Sequence, residues 1–230
     1  MKPIKVPPDL VQLVYSAIRD SICAGELAPG ERLNQEAVAE RLQVSRQPIV
    51  QAIVLLKNQG FVKEIGRRGV EVAQPSAAEI SGFYAVRAVL DGLAAREAAD
   101  HGQQHARRQG PEILQAGREA CRSGLFIGML QSDMDFHQFI YRLSANPVIE
   151  NMVAPHWHQL RRVMGSVLRS DYPHARIWNE HEAILSAIIA GDAPQAERLA
   201  REHAEGAQTM MADKLRCAAT SAEPKNVQNG

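Results

Sequence analysis

The sequence has little cysteine and few aromatic residues, and no charge of one sign predominates. Its three cysteines, Cys23, Cys121 and Cys217, are far apart and form no CxxC pair. This argues against a disulfide framework or a zinc knuckle and predicts buried thiols. No apolar run approaches the ~18 residues of a membrane span, and the start MKPIKVPPDL lacks the apolar segment of a signal peptide. We therefore expect a cytoplasmic protein with no membrane partner.

Motifs of several enzyme classes are missing as well. The sequence contains no GxSxG, P-loop or GxGxxG, and HEAIL at 181–185 lacks the second histidine of HExxH. These patterns position a nucleophile, a phosphate or a catalytic zinc ion. Their absence argues against the hydrolases and nucleotide-binding enzymes that carry them.

Positive charge is concentrated in one region, although the chain as a whole is neutral. Residues 41–72 hold six bases and two acids, a local excess of four positive charges. Such a patch suits a polyanion, but the solvated face of an ordinary domain can have the same composition.

The first 75 residues have the pattern of a winged helix-turn-helix domain. Apolar residues recur every three or four positions in three segments, and two short β-prone segments follow around a glycine turn. Ser45 is expected to cap the third helix by accepting hydrogen bonds from its first amides. A boundary is predicted near 73–79, where Ser76 can cap a new helix. The predicted helices are 9–23, 35–42 and 45–60, and the predicted hairpin strands are 61–65 and 69–72.

The third predicted helix presents side chains suited to DNA. In a helix-turn-helix, the N-terminal turns of this helix enter the major groove, where arginine reads guanine, glutamine reads adenine and an apolar group meets the thymine methyl. Phosphates would be held by the amides behind Ser45 and by the basic hairpin tip. A polar face that is merely solvated is the alternative. The candidate contacts are Ser45, Arg46, Gln47, Val50 and Gln51 on the helix, and Arg67, Arg68 and Gly69 at the hairpin tip.

The sequence pattern of residues 76–220 predicts helices only, and we expect them to pack as an antiparallel bundle around one core. Gly110-Pro111 is expected to interrupt the second of them, and the polar residues 221–230 are expected to be disordered. The predicted fold class is therefore mainly α, with an N-terminal winged helix-turn-helix, a small β-hairpin wing and a C-terminal all-helical bundle. The bundle helices are expected at 76–101, 103–123, 125–145, 147–169, 174–190 and 193–219.

Four residues of the predicted bundle could converge on a metal ion. Asp133 and His137 are four positions apart and therefore share one helix face, while His181 and His203 come from two later helices. One carboxylate and three imidazoles suit a borderline divalent ion such as zinc, nickel or manganese, with positions left open for a ligand. Solvated or core-bonded histidines are the alternative, because eight histidines make such spacings easy to find by chance.

Residues 10–73 resemble the N-terminal domain of GntR-family transcription regulators. The resemblance is carried by the Pro-Gly turn before RL, by the pattern LAxRLxVSRxPxxxAxxxLxxxG, and by a wing with paired bases and a glycine, Gly69. Family members usually have arginine and glutamate where this chain has Val50 and Gln51, so we expect a thymine methyl or no base contact at Val50. Gln43 stands where a glycine is usual, which predicts a left-handed backbone at a non-glycine residue.

The all-helical remainder resembles the FCD domain of the FadR subfamily. Metal-binding FCD domains carry DxxFH, then EHxxI, then a histidine in the last helix, and this resemblance implies that Asp133, His137, His181 and His203 are metal ligands. Arg87 matches an arginine that often points into the same cavity, which implies a contact with an effector carboxylate. An ordinary ion pair with Asp91, four residues on, is the alternative role of Arg87.

Together the two resemblances imply a homodimeric regulator of a catabolic operon, which binds near-palindromic operator DNA and responds to a small carboxylate. Repression is the commoner behaviour in the family. Two alternatives stay open: a constitutive DNA-binding regulator whose metal is purely structural, and a metal-dependent hydrolase.

Overall fold

The protein consists of two compact units, Met1–Pro75 and Ser76–Gly230, each with its own hydrophobic core. The computed structural model describes residues 9–66, 69–74, 76–124, 126–153, 157, 160 and 174–221. Within these ranges, no helix is both long and apolar enough to cross a membrane. Cys23 and Cys121 are partly rather than fully buried, and the side chain of Cys217 lies outside the described part.

The N-terminal unit is a winged helix-turn-helix, as the sequence predicts. Three helices pack through residues such as Ile18, Ile49 and Leu56, which are almost completely buried. An antiparallel hairpin follows, with Val62 opposite Val72. The helices are α1 (Leu10–Ala24), α2 (Gln35–Leu42) and α3 (Arg46–Asn58), and the strands are β1 (Val62–Ile65) and β2 (Gly69–Val72).

In this unit the helix ends are formed by the residue types typical of such positions, with one exception. Asn34 caps α2 by accepting hydrogen bonds from two amides of its first turn, and Gln43 ends α2 with φ 53° and ψ 43°, so the predicted left-handed residue is confirmed. Ser45 stands at the N-cap of α3, but its hydroxyl makes no capping hydrogen bond. The predicted cap is therefore wrong, and Pro48 at the third helical position lacks one of the two N–H groups that a serine cap can bond.

The C-terminal unit is helical throughout its described part, which confirms the predicted fold class. Ser76 and Glu79 form a capping box at its first helix: the Ser76 hydroxyl accepts from the Glu79 amide, and the Glu79 carboxylate accepts from the Ser76 amide. Of the predicted helix 147–169, residues 147–153 are helical and most of the rest lies outside the described residues, as do 222–230 of the predicted tail. The helices are α4 (Ala77–His101), α5 (Gln103–Ser123), α6 (Phe126–Leu143), α7 (His174–Ala190) and α8 (Ala193–Ser221).

Small residues let α4 and α8 pack closely along much of their length. Ala94, Ala95 and Ala98 of α4 are completely buried. A Cβ atom at Gly92 would lie 3.3 Å from the carbonyl oxygen of Glu197 on α8. This close approach positions α4 beside the helix that carries His203.

Helix α5 runs unbroken through Pro111, so the predicted interruption at Gly110-Pro111 is wrong. An interior proline costs a helix about 3 kcal/mol. However, α5 packs against α7 so closely that Cβ atoms at Gly110 and Gly117 would lie 2.5 and 1.8 Å from side-chain atoms of Leu185 and Trp178. This tertiary contact, which local sequence does not reveal, keeps the helix continuous.

Candidate metal centre and nucleic-acid interface

Three helices bring the predicted metal ligands to one buried point. Asp133 and His137 lie one turn apart on α6, His181 lies on α7 and His203 lies on α8. One ligand atom of each residue lies within 4.8 Å of the other three, and all four residues are buried. Around an ion with bonds of about 2.1 Å, tetrahedral ligand atoms lie roughly 3.4 Å apart. The cluster could therefore hold a metal ion after small side-chain adjustments.

Hydrogen bonds define the orientation of two of the histidine rings. His203 Nδ1 lies 2.8 Å from Oε2 of Glu180, and because a carboxylate accepts, this nitrogen carries the ring proton. In the neutral ring the lone pair of His203 is then on Nε2, which lies 3.2 Å from Nε2 of His181. His181 Nε2 is also 3.5 Å from Oδ1 of Asp133. The atoms that face one another are thus those with which these residues would bind an ion.

Burial keeps two of the histidines neutral. It lowers the pKa of His137 well below its ordinary value, and the Arg87 cation and the neighbouring histidines lower it further. Burial, His203 and Arg87 lower the pKa of His181 in the same way. Burial raises the pKa of Asp133, an effect that Arg87 opposes. Because metals bind neutral imidazole, these histidines are in the ligand-competent charge state at neutral pH.

Arg87 pairs with Asp91 at the edge of the cluster, so the ion pair expected as its alternative role is present. Both residues are 3% exposed, and the Arg87 Nε atom lies 3.0 Å from Oδ2 of Asp91. The geometry is not that of a hydrogen bond, since Nε and one Nη atom of Arg87 have no acceptor. Tyr141 donates to the other oxygen of Asp91, and the guanidinium lies 4.7 Å from the ring centroid of Trp157.

Buried polar atoms without a hydrogen-bond partner are concentrated around this cluster. Leaving such an atom unpaired costs about 1–3 kcal/mol, and a bound water, ion or ligand is one way in which proteins complete such a set. The donor set and the unpartnered Nε2 of His137 fit a metal ion, and the unpartnered Arg87 atoms fit an anion beside it. In the described part of the chain, all such side-chain atoms belong to Tyr84, Arg87, Asp91, His137 and His181.

Sequence reasoning missed Tyr84, Tyr141 and Glu180 as members of this site. Helical spacing could have found the tyrosines, because Tyr141 follows His137 by four positions and Tyr84 precedes Arg87 by three. Glu180 contacts His203, which is 23 positions away. That contact depends on how α7 packs on α8, and no local pattern predicts it.

The face of α3 predicted to read DNA is open to solvent. Ile49 and Leu56 are completely buried on the opposite face. Val50 is 42% exposed, so it does not simply pack against its neighbours. Arg46 is exposed and lies 3.4 Å from Glu36, an exposed pair that contributes little to stability. The residues predicted for this face are all exposed: Ser45, Arg46, Gln47, Val50 and Gln51.

The wing depends on a glycine for steric reasons. A Cβ atom at Gly69 would lie 2.7 Å from the carbonyl oxygen of Ile65 in the paired strand. Gly66 begins the turn with φ +59°, which favours glycine. The predicted phosphate contacts Arg67 and Arg68 lie outside the described residues.

Two family models match the chain in adjoining regions. Residues 10–72 match the family described as bacterial regulatory proteins, gntR family, and residues 82–206 match the FCD domain. The second match alone covers more than half of the 230 residues.

The chain is also similar to individual regulators. It is 26% identical over 202 residues to an uncharacterized HTH-type transcriptional regulator in an unstable DNA locus of Streptomyces ambofaciens, covering 83% of this chain and 80% of that one. It is 26% identical over 196 residues to the HTH-type transcriptional repressor RspR of Escherichia coli (strain K12), covering 84% of each. The solved structure of E. coli McbR/YncC shares the fold, with a TM-score of 0.74 at 18% identity over 89% of this chain and 98% of that one.

Proposed function

Because the chain belongs to the GntR family of bacterial regulatory proteins, with the FCD domain of the FadR subfamily, we propose that it senses a small carboxylate at a metal-containing pocket and thereby controls a catabolic operon. It is a DNA-binding transcriptional regulator, and family membership excludes the hydrolase alternative. The proposal rests on one observation above all: three buried imidazoles and one carboxylate lie together beside a buried arginine. A regulator of this kind acts where the chromosome is, in the bacterial cytoplasm.

The ion would be held by Asp133, His137, His181 and His203. Three nitrogen ligands and one oxygen ligand suit zinc, nickel or manganese. When bound, such an ion supplies positive charge and open coordination positions for an oxygen of the effector. The protein's own contribution is to hold the three imidazole rings in a buried site with nitrogen atoms facing one another.

A carboxylate effector is supported by the cation at the edge of the cluster. Arg87 stays charged: burial lowers its pKa, but Asp91 together with Tyr141, Tyr84 and Asp133 raises it by more than burial lowers it. One carboxylate group could accept hydrogen bonds from both one Nη atom and the Nε atom of Arg87, which have no acceptor, in the bidentate manner typical of arginine. Asp91 competes for the same guanidinium, which favours effectors that also reach the metal.

Operator recognition would belong to α3 and the wing. Arg46, Gln47 and Gln51 are exposed on one face and carry donors and acceptors that read base edges. The Ser45 hydroxyl is not used as a cap, so the first amides of α3 remain for a phosphate. Arg67 and Arg68, next to Gly69 in the chain, are proposed as further phosphate contacts of the wing.

A homodimer is supported by an exposed apolar stripe on α4. Val86, Val89 and Leu93 recur at helical spacing and are all exposed, so a second copy of this chain would remove them from water. Val148 and Met152, one turn apart in the helical segment 147–153, are also exposed. Sedimentation of the wild-type chain beside a Val89→Asp variant tests this: the wild type should sediment as a dimer and the variant at lower mass.

We propose that the protein represses transcription, as its name indicates for the similar protein RspR, an HTH-type transcriptional repressor. Effector binding in the FCD domain would then change the operator affinity of the N-terminal domain, a coupling typically worth 1–3 kcal/mol. The test is metal analysis of the purified protein followed by a thermal-shift screen of small carboxylates and a gel shift with each stabilising compound. Bound metal without any stabilising carboxylate would instead favour a constitutive regulator with a structural metal.

A further inference from the structure

One acidic side chain contacts the ligand cluster from outside. Glu180 lies on α7 next to His181, but its Oε2 atom accepts a hydrogen bond from Nδ1 of His203 on α8, at 2.8 Å. Its other oxygen accepts from Nε of Arg176, one turn earlier, at 2.7 Å. Arg176 itself lies over the helix of His203, since one of its Nη atoms would be 3.2 Å from a Cβ at Gly206. Glu180 therefore joins α7 to a ligand that α8 supplies.

The three histidines differ in the hydrogen-bond partner of their Nδ1 atoms. Nδ1 of His181 has no hydrogen-bond partner, and Nδ1 of His137 lies 3.6 Å from Oδ2 of Asp91, beyond an ordinary hydrogen bond. Among the described residues, His203 is thus the candidate ligand with a carboxylate bonded to the nitrogen that faces away from the cluster. A proton held on that nitrogen leaves the lone pair of Nε2 on the opposite side of the ring.

We propose that Glu180 is a positioning residue of the metal site: it holds His203 in the Nδ1–H tautomer and directs the Nε2 lone pair of His203 into the cluster. This inference rests on the proposed metal site. A carboxylate behind a metal-bound histidine fixes the ring and makes the imidazole more basic, and losing it typically weakens metal affinity 10–100-fold. Arg176 is largely exposed, so its own effect, through the rotamer of Glu180, is smaller.

The test compares two acidic residues on the same helix. Glu180→Ala removes the acceptor, and Glu182→Ala is the matched control, because Glu182 pairs with Arg118 at the surface. Zinc affinity of the full chain, measured by competition with a chromophoric chelator, should fall 10–100-fold in Glu180→Ala and stay at the wild-type value in Glu182→Ala. Glu180→Gln, which keeps an acceptor but loses the charge, should give an intermediate affinity.

A second measurement separates positioning from a general structural role. Imidazole nitrogen NMR of the metal-free protein should show His203 as the Nδ1–H tautomer in the wild type and Glu182→Ala, and a mixture of tautomers in Glu180→Ala. Unchanged zinc affinity in Glu180→Ala, or an equal loss in Glu182→Ala, overturns the proposal. If the wild-type chain binds no zinc, both the proposed metal site and the positioning role of Glu180 are wrong. The tautomer spectrum then shows whether the hydrogen bond to Glu180 exists on its own.

Discussion

His181 and His203 belong to different helices, yet their Nε2 atoms lie 3.2 Å apart. Replacing both by alanine should abolish metal binding and the response to effector, because two of four candidate ligands disappear. The N-terminal unit has its own core, so operator binding without effector should persist. Metal content by mass spectrometry and operator affinity by gel shift measure the two effects separately.

An exposed histidine provides the control for that experiment. His105 lies on the surface of α5, and His105→Ala should retain the wild-type metal content and the wild-type thermal shift. Metal that persists at one equivalent in the His181→Ala, His203→Ala protein would show that the ion is bound elsewhere.

Arg46→Ala should weaken operator binding by about 1–3 kcal/mol, the range for loss of an arginine that contacts a base. Arg46 is exposed at the first position of α3, so its removal should leave the unfolding temperature unchanged. Arg122→Ala, an exposed arginine of α5, removes the same charge from the other unit. Equal operator affinity in the two variants, measured by fluorescence anisotropy, would contradict the assignment of α3 as the recognition helix.

Val50→Arg should change which operator is preferred. Val50 is 42% exposed on the proposed reading face, and an arginine there can bond the O6 and N7 atoms of guanine. Selection from randomised DNA should then recover a guanine at one position in each half-site of the variant, where the wild type recovers thymine or no preference. Identical recovered sequences would mean that position 50 does not face a base.

Acid should destabilise the metal-free protein below about pH 6.5. His137 and His181 have pKa values well below the ordinary value when folded, while the unfolded chain titrates near 6.5. The unfolded state therefore binds more protons as the pH falls, so stability present above pH 6.5 is lost below it, by at most about 1.4 kcal/mol per pH unit for each histidine. The raised pKa of Asp133 has the opposite effect on stability, because the folded state then binds more protons than the unfolded state at that residue.

Urea unfolding of chelator-treated protein between pH 7.5 and 5.5 measures this slope, the change in the free energy of unfolding per pH unit. The double variant His137→Asn, His181→Asn should show a smaller slope than the wild type, and His105→Ala should show the same slope. A wild-type free energy of unfolding that stays constant over the range would mean that the two histidines titrate in the folded protein as they do in the unfolded chain.

Gly117→Ala should destabilise the C-terminal unit by about 1–3 kcal/mol, the usual cost of overpacking. A Cβ at this position would lie 1.8 Å from the Trp178 ring. Gly82→Ala on α4 is the matched change at a helical glycine with nothing within 4 Å, and it should stabilise by about 0.5–1 kcal/mol. Thermal unfolding of both variants checks the sign, and a neutral Gly117→Ala would mean that α5 and α7 separate easily.

Several features of this protein are determined by the sequence alone. The helix bounds, the hairpin and the capping box at Ser76 follow from periodicity, turn residues and caps, which act over a few positions. The left-handed Gln43 follows from the family resemblance, because a glycine is usual at that position. The four candidate metal ligands could be named because two motifs and one spacing match a known family. These features need no knowledge of how distant segments pack.

Other features were decided only by the tertiary structure. Helix α5 continues through Pro111 because glycines on its face pack directly on α7, and this contact outweighs a local penalty. Arg87 and Asp91 are four positions apart, but only the tertiary structure shows that this ion pair is buried beside three histidines. Glu180 reaches His203 only because α7 lies against α8. Contacts between helices depend on the packing of the whole bundle, and no short stretch of sequence encodes them.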